Sequence, residues 1–175
     1  MICLYLGEVI MRAIVIVGVM SFSLLAGEAE SRTLPDSFRT PGATNPDVTQ
    51  SNIKKTICKS GWTKTIRPPS SYTTALKKQQ VVEYGYRNKK LGSYEEDHLI
   101  SLEIGGDPKD PHNLWPQAYA GKCGARVKDA IETTLKKLVC APKPPLTLVE
   151  AQQMISRDWV AAYNQYVRVL KCPTP

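Results

Sequence analysis

The sequence is poor in the residues that many reactive sites depend on. It has two histidines, His98 and His112, in 175 residues, so no centre built from a cluster of imidazoles fits it. No pair among its five cysteines stands at C-x2-C or C-x4-C spacing, which takes away the usual layout of a four-cysteine zinc site, the rival to disulfide pairing. There is no internal repeat and no low-complexity tract, and the composition excludes general disorder and a collagen-like fibre. The apolar run Ala13 to Ala26 is about fourteen residues, short of the roughly 20 that a membrane-spanning helix needs.

What is present fits one compact domain with a processed end. Apolar residues make up 42% and charged residues 22%. Lys and Arg number 23 against 16 Asp and Glu, for a formal charge of +7 and a pI near 9.2. A basic excess favours anionic partners: nucleic acid, acidic polysaccharide or a membrane surface. Met11-Arg12 followed by the apolar run, with small residues around Gly27-Glu28-Ala29, reads as a signal peptide over residues 1–29, with a membrane anchor as the alternative. Its removal takes Arg12, Glu8 and Glu28 from the 23 and 16, leaving 22 basic and 14 acidic residues and a charge of +8. Cys3 goes too. Cys58, Cys123, Cys140 and Cys172 remain, an even number in a chain bound for an oxidising compartment, which predicts two disulfides.

Residues 30–48, marked by Pro35, Pro41, Gly42, Asn45 and Pro46, read as an extended lead-in or surface loop, and residues 49–175 as a single domain. The spacing predicts a short helix from Thr49 to Ile57, a strand or extended segment from Trp62 to Arg67, and a helix over Tyr72–Tyr84 capped by Ser70 or Ser71 and stopped by Gly85. Tyr94 to Ile104 reads as extended. Gly105-Gly106 turns the chain, Asp107 to His112 is a loop, and Asn113-Leu114-Trp115 resumes an extended path. A helix over Ala125–Val139 carries Val127, Ile131, Leu135 and Leu138 on one stripe, with Asp129, Glu132 and Lys136 opposite. Thr147 and Glu150 form a capping box for a last helix whose apolar face is Leu148, Ala151, Ile155, Trp159, Ala162 and Tyr166. Placing the cysteines beside these elements predicts Cys58 with Cys140 and Cys123 with Cys172, one of three possible pairings.

The chemistry is concentrated in Tyr94 to Gln117. Asp97-His98, Gly105-Gly106 and Asn113-Leu114 followed by Pro116, with a helix next, resemble the core of the HNH endonucleases of the His-Me finger (ββα-metal) superfamily, over about residues 94–135. The resemblance implies an α+β, mainly helical fold in which two short strands and a helix form a metal-binding ββα unit. It implies His98 as the general base that takes a proton from the attacking water, Asp97 as a ligand of a divalent metal, and Asn113 as the brace of the loop carrying the base. The residue types suit such work independently, because hydrolysis near neutral pH needs a base titrating near roughly 6.5 and a counter-charge for phosphate. The cofactor implied is Mg2+, or Mn2+, on oxygen ligands.

The sequence departs from that pattern in the helix after Asn113, where a His or Asn usually completes the metal shell. None occurs from Gln117 to Cys140. Asp129 is assigned as the second carboxylate, with Glu132, Glu95 and Glu96 as substitutes; for Glu132 an exposed helix face is an equal reading. Ser101 stands where relatives commonly have Pro. His112 reads as a loop residue, with a third metal ligand or a phosphate contact as the alternative, and Trp115 as core rather than a base-stacking platform, while the pairs Lys54-Lys55, Lys77-Lys78, Lys89-Lys90 and Lys136-Lys137 suit either a phosphate backbone or plain solvated faces. The reading is a secreted or periplasmic metal-dependent endonuclease acting on DNA or RNA, with no membrane span after signal cleavage. The alternatives are a non-catalytic secreted binding module on the same scaffold and a small envelope structural protein.

Overall fold

In a computed structural model the described residues are 33–172, so the leader expected over residues 1–29 lies outside them. Four helices and one two-stranded sheet follow in the order α1 (Trp62–Ile66), α2 (Ser70–Glu83), β1 (Tyr94–His98), β2 (Leu114–Ala118), α3 (Ala125–Val139) and α4 (Leu148–Tyr166). The fold is α+β and mainly helical. Strands β1 and β2 pair antiparallel with Glu95 opposite Gln117, Asp97 opposite Trp115 and His98 opposite Leu114.

Two apolar clusters hold this layout. Val81, Tyr84, Tyr86, Tyr94, Leu99 and Trp115 pack α2 onto the sheet. A larger cluster, including Ile57, Ile104, Ile131, Leu135, Ile155 and Trp159, joins α3, α4 and the residues ahead of α1. Strand β1 therefore lies between α2 and α3, with Tyr94 and His98 buried and the three residues between them half-buried.

Both expected disulfides form. Cys58–Cys140 and Cys123–Cys172 have Cα separations of 5.5 and 5.7 Å. Cys123 precedes α3 by two residues and Cys140 ends it, so the two bridges tie down both ends of one helix. A cross-link of this kind stabilises chiefly by restricting the unfolded chain.

Several elements differ from the sequence reading. Trp62 to Ile66 is a helix rather than a strand: Gly61, at φ +78°, turns the chain into it, the Thr65 hydroxyl bonds back to the Trp62 carbonyl, and Pro68-Pro69 end it. The half-buried pair Trp62 and Ile66 stands at helical i,i+4 spacing, a period masked by the alternating Thr and Lys. The helix expected over Thr49–Ile57 shrinks to a single 3-10 turn, Ile53–Lys55, because the Asn52 side chain bonds the Thr49 N–H and the Asp47 carbonyl and so competes with a longer helix. Ser70 is the first residue of α2 and caps nothing. The extended path from Tyr94 stops at His98, and Leu102–Ile104 is a 3-10 turn.

The capping box of Thr147 and Glu150 is present, with the Thr147 N–H donating to Glu150 Oε2 at 2.7 Å. Helix α4 is interrupted at Asp158, whose extended backbone and Oδ1, accepting from the Val160 and Ala161 N–H groups, start a second helical segment. After that interruption Tyr163 is buried and Tyr166 only half so.

Candidate functional site

Loop Leu99–Asn113 connects the strands and is shaped from within. Asn113 is fully buried and bonds three ways across it: Oδ1 accepts the Ile100 N–H at 2.9 Å, and Nδ2 donates to the Ile100 carbonyl at 3.0 Å and the Asp107 carbonyl at 2.9 Å. A Cβ on Gly106 would sit 1.7 Å from the Ile100 oxygen and 2.8 Å from Asn113 Nδ2, so only glycine lets the turn close on the Asn113 amide. Asp107 Oδ1 accepts from the Lys109 and Asp110 N–H groups at 2.8 Å each. The lead-in seals the loop from outside, through Gly42 N–H to the His112 carbonyl at 2.9 Å and a bridge between Thr44 and Gly106.

His98 closes β1 and is 5% exposed. Its Nε2 lies 3.1 Å from the Pro108 carbonyl. A carbonyl only accepts, so Nε2 carries the hydrogen and Nδ1 is left with its lone pair. Nδ1 takes no hydrogen bond from the described residues, on a ring that is almost wholly buried. Burial lowers the imidazole pKa to about 4; the Pro108 bond opposes the shift, while the charges of Lys128 and Arg67 add to it. His98 is therefore a neutral base across the physiological range rather than a group poised near 6.5.

Asp97, on the side of β1 facing α3, has an unexpected partner. The fully buried ammonium of Lys128 donates to Asp97 Oδ2 at 2.9 Å, to the His98 carbonyl at 2.8 Å and to Glu132 Oε1 at 2.5 Å. Glu132 Oε2 accepts from the Ser101 hydroxyl at 2.8 Å. Burial alone would depress the Lys128 pKa, and the two carboxylates overcome that and hold it above the ordinary lysine range. Burial pushes Glu132 up, Lys128 pulls it back, and Asp97 adds to the rise, as expected when one ammonium faces two carboxylates.

Asp129 is exposed and makes no hydrogen bond or ion pair with Asp97; Glu132 is the carboxylate that shares the Lys128 cation with it. Glu95, opposite Gln117, is pushed up to about 6 by burial and by the charges of Asp97, Asp129 and Glu132. Glu96 lies on the α2 side near Lys77 with both oxygens buried and unbonded, and burial pushes it up to about 8.

Mg2+ at Asp97 would need free carboxylate oxygens, commonly one or two carboxylates beside waters and substrate phosphate. Among the described residues no group of three His, Cys, Asp or Glu side chains could hold a metal ion. The cation in contact with Asp97 Oδ2 is Lys128, and both Glu132 oxygens are already bonded. The side chains present do not fit the metal site that the resemblance implies.

The remaining expectations divide. Trp115 is fully buried in the α2–sheet cluster. His112 is an exposed loop side chain bonded to Asp110 Oδ1 at 2.9 Å. Three of the lysine pairs split: Lys77 and Lys89 donate to the Tyr94 and Val81 carbonyls and Lys136 pairs with Glu103, while Lys78, Lys90 and Lys137 are exposed. Lys128 and Arg67 lie outside the sequence motif, and Ser101 enters it only as a departure from Pro. A signal for Lys128 exists, because it precedes Ile131, Leu135 and Val139 in the phase of the buried stripe, where a lone cation needs a counter-charge. No family model matches the chain, and neither does any curated protein or solved structure.

Proposed function

We propose that this chain is a secreted endonuclease that hydrolyses phosphodiester bonds in DNA or RNA with His98 as general base. The observation that carries the reading is the fixed tautomer of His98: the Pro108 carbonyl accepts the Nε2 hydrogen and leaves the Nδ1 lone pair as the ring's proton acceptor, beside a loop braced by Asn113. Nδ1 accepts a proton from water as the water oxygen attacks phosphorus; the bond to the leaving oxygen breaks, and that oxygen takes its proton from solvent. Arg67, exposed and in no ion pair among the described residues, lies within electrostatic range of His98 and supplies positive charge toward a phosphate. The exposed Lys54, Lys55, Lys78, Lys90 and Lys137 add to the positive charge that draws a polyanion.

The two disulfides suit an oxidising compartment, and among the described residues no helix is long and apolar enough to cross a membrane. The test is nicking of supercoiled DNA and cleavage of labelled RNA by oxidised protein, beside His98→Ala. Cleavage lost in the variant, with its fold intact by circular dichroism, is the expected result. Equal cleavage by both proteins would refute the assignment of the base and leave a binding module as the better account.

A further inference from the structure

We propose that Lys128 is a built-in cation standing where the HNH resemblance puts a divalent ion, so that Asp97 serves as the partner of an ammonium rather than as a metal ligand. The inference deepens the nuclease reading and rests on it for its catalytic consequence, while the contact between Lys128 and Asp97 belongs to the fold itself.

Three observations converge. The Lys128 side chain is fully buried, and its three donors are spent on Asp97 Oδ2, the His98 carbonyl and Glu132 Oε1. A charged ammonium has no lone pair to give a metal, and this one occupies the face of α3 that meets β1, the helix from which relatives complete the metal shell. The second Glu132 oxygen is held by the Ser101 hydroxyl, so Glu132 has no acceptor to spare in this arrangement. Ser101 stands where the resemblance expects Pro, and Lys128 stands on the helix from which the expected His or Asn is missing. The two departures meet on one carboxylate. What the described residues leave for a hard divalent ion is the other oxygen of Asp97, beside a fixed positive charge.

The arrangement also acts on the base. Lys128 holds the carbonyl of His98 itself and, through Asp97, the preceding residue of β1. It is buried away from substrate and is a positioning residue. The disulfides at the two ends of α3 keep it there.

The experiment titrates oxidised, full-length protein with Mn2+, followed by electron paramagnetic resonance, and measures cleavage of supercoiled DNA and labelled RNA with EDTA and with Mg2+. The expected results are no stoichiometric Mn2+ site in wild type and cleavage that differs less than about 2-fold between EDTA and Mg2+. Lys128→Gln, which frees Asp97 and Glu132, is expected to gain one Mn2+ site that Asp97→Asn removes again. One Mn2+ bound by wild type and lost in Asp97→Asn overturns the inference, and this arm stands even if Lys128→Gln does not fold. Cleavage abolished by EDTA and restored by Mg2+ also overturns it and leaves the nuclease reading standing. Absence of cleavage under every condition, with wild type silent to Mn2+, sinks the nuclease reading and supports the Lys128 assignment.

Discussion

Lys128 on α3 and Asp97 on β1, separated by 31 positions in sequence, meet at 2.9 Å with the ammonium wholly out of solvent. Such a pair contributes little net stability relative to apolar packing, but removing one member strands the other. Asp97→Ala is therefore expected to destabilise the fold by about 3–5 kcal/mol, reduced to the extent that Glu132 retains the ammonium. Asp129→Ala, at an exposed position without an ion pair to Asp97, should stay within about 0.5 kcal/mol of wild type. Urea denaturation of the two variants checks this, and equal midpoints would contradict the geometry.

His98 gives a prediction about pH that differs from what the residue type suggests. His98→Ala should cut the cleavage rate by about 10²- to 10⁴-fold. In wild type the acid limb should fall near pH 4, where the buried imidazole takes up its proton, and the rate should be flat from about pH 5 to 8. A limb centred near 6.5 would show that His98 is more open to water than the structure has it. The same shift acts on folding: an imidazole depressed in the fold contributes stability that is full above about 6.5 and is lost as pH falls through about 4.

Much of this architecture was legible in the chain. Helix α3 and the Thr147-Glu150 cap follow from apolar period and capping chemistry, and the disulfide pairing follows from which elements the cysteines flank. The His98, Gly105-Gly106 and Asn113 positions come together around one loop because their bonds are short-range across it. What was not legible depends on contacts between distant segments. Whether Asp97 faces a metal or an ammonium is decided by α3, and whether His98 titrates near 6.5 or 4 is decided by how much of the ring is covered. The stripe on α3 was also phased one residue off: Val127 and Leu138 are half-buried, while Lys128 and Val139 take the inner face.

The turn at Gly105-Gly106 should tolerate no side chain at its second position. Gly106→Ala places a methyl group 1.7 Å from the Ile100 carbonyl oxygen, a backbone atom that cannot swing aside, and 2.8 Å from Asn113 Nδ2. Relief requires opening the loop and breaking Asn113 bonds, each worth about 1 kcal/mol net and more where a buried polar group is left unpaired. We expect a loss of at least about 2 kcal/mol, with faster amide exchange at Ile100 and Leu99, which donate to Asn113. Gly92→Ala, with no atom within 4 Å of the added carbon, is the control and should exchange as wild type.

Glu96 supplies the clearest pH-dependent stability. Its two oxygens are buried without a hydrogen bond, and burial pushes the group from the ordinary 4.5 up to about 8 even with Lys77 nearby. A carboxyl raised on folding favours the folded state while it is protonated in both states. That contribution is fully present below about 4.5 and is lost as pH rises through about 8, where the folded protein must finally ionise a buried group. Glu95, raised to about 6, adds a fall over a lower window, and His98 acts in the opposite direction on the acid side. Comparison with Glu96→Gln isolates the single group, because the amide stays neutral throughout. The variant should match wild type near pH 4.5 and exceed it increasingly toward pH 9, by on the order of a few kcal/mol. Thermal unfolding at pH 5, 7 and 9 measures the difference. A gap that stays constant across the three would mean that Glu96 ionises normally and that its carboxylate reaches water.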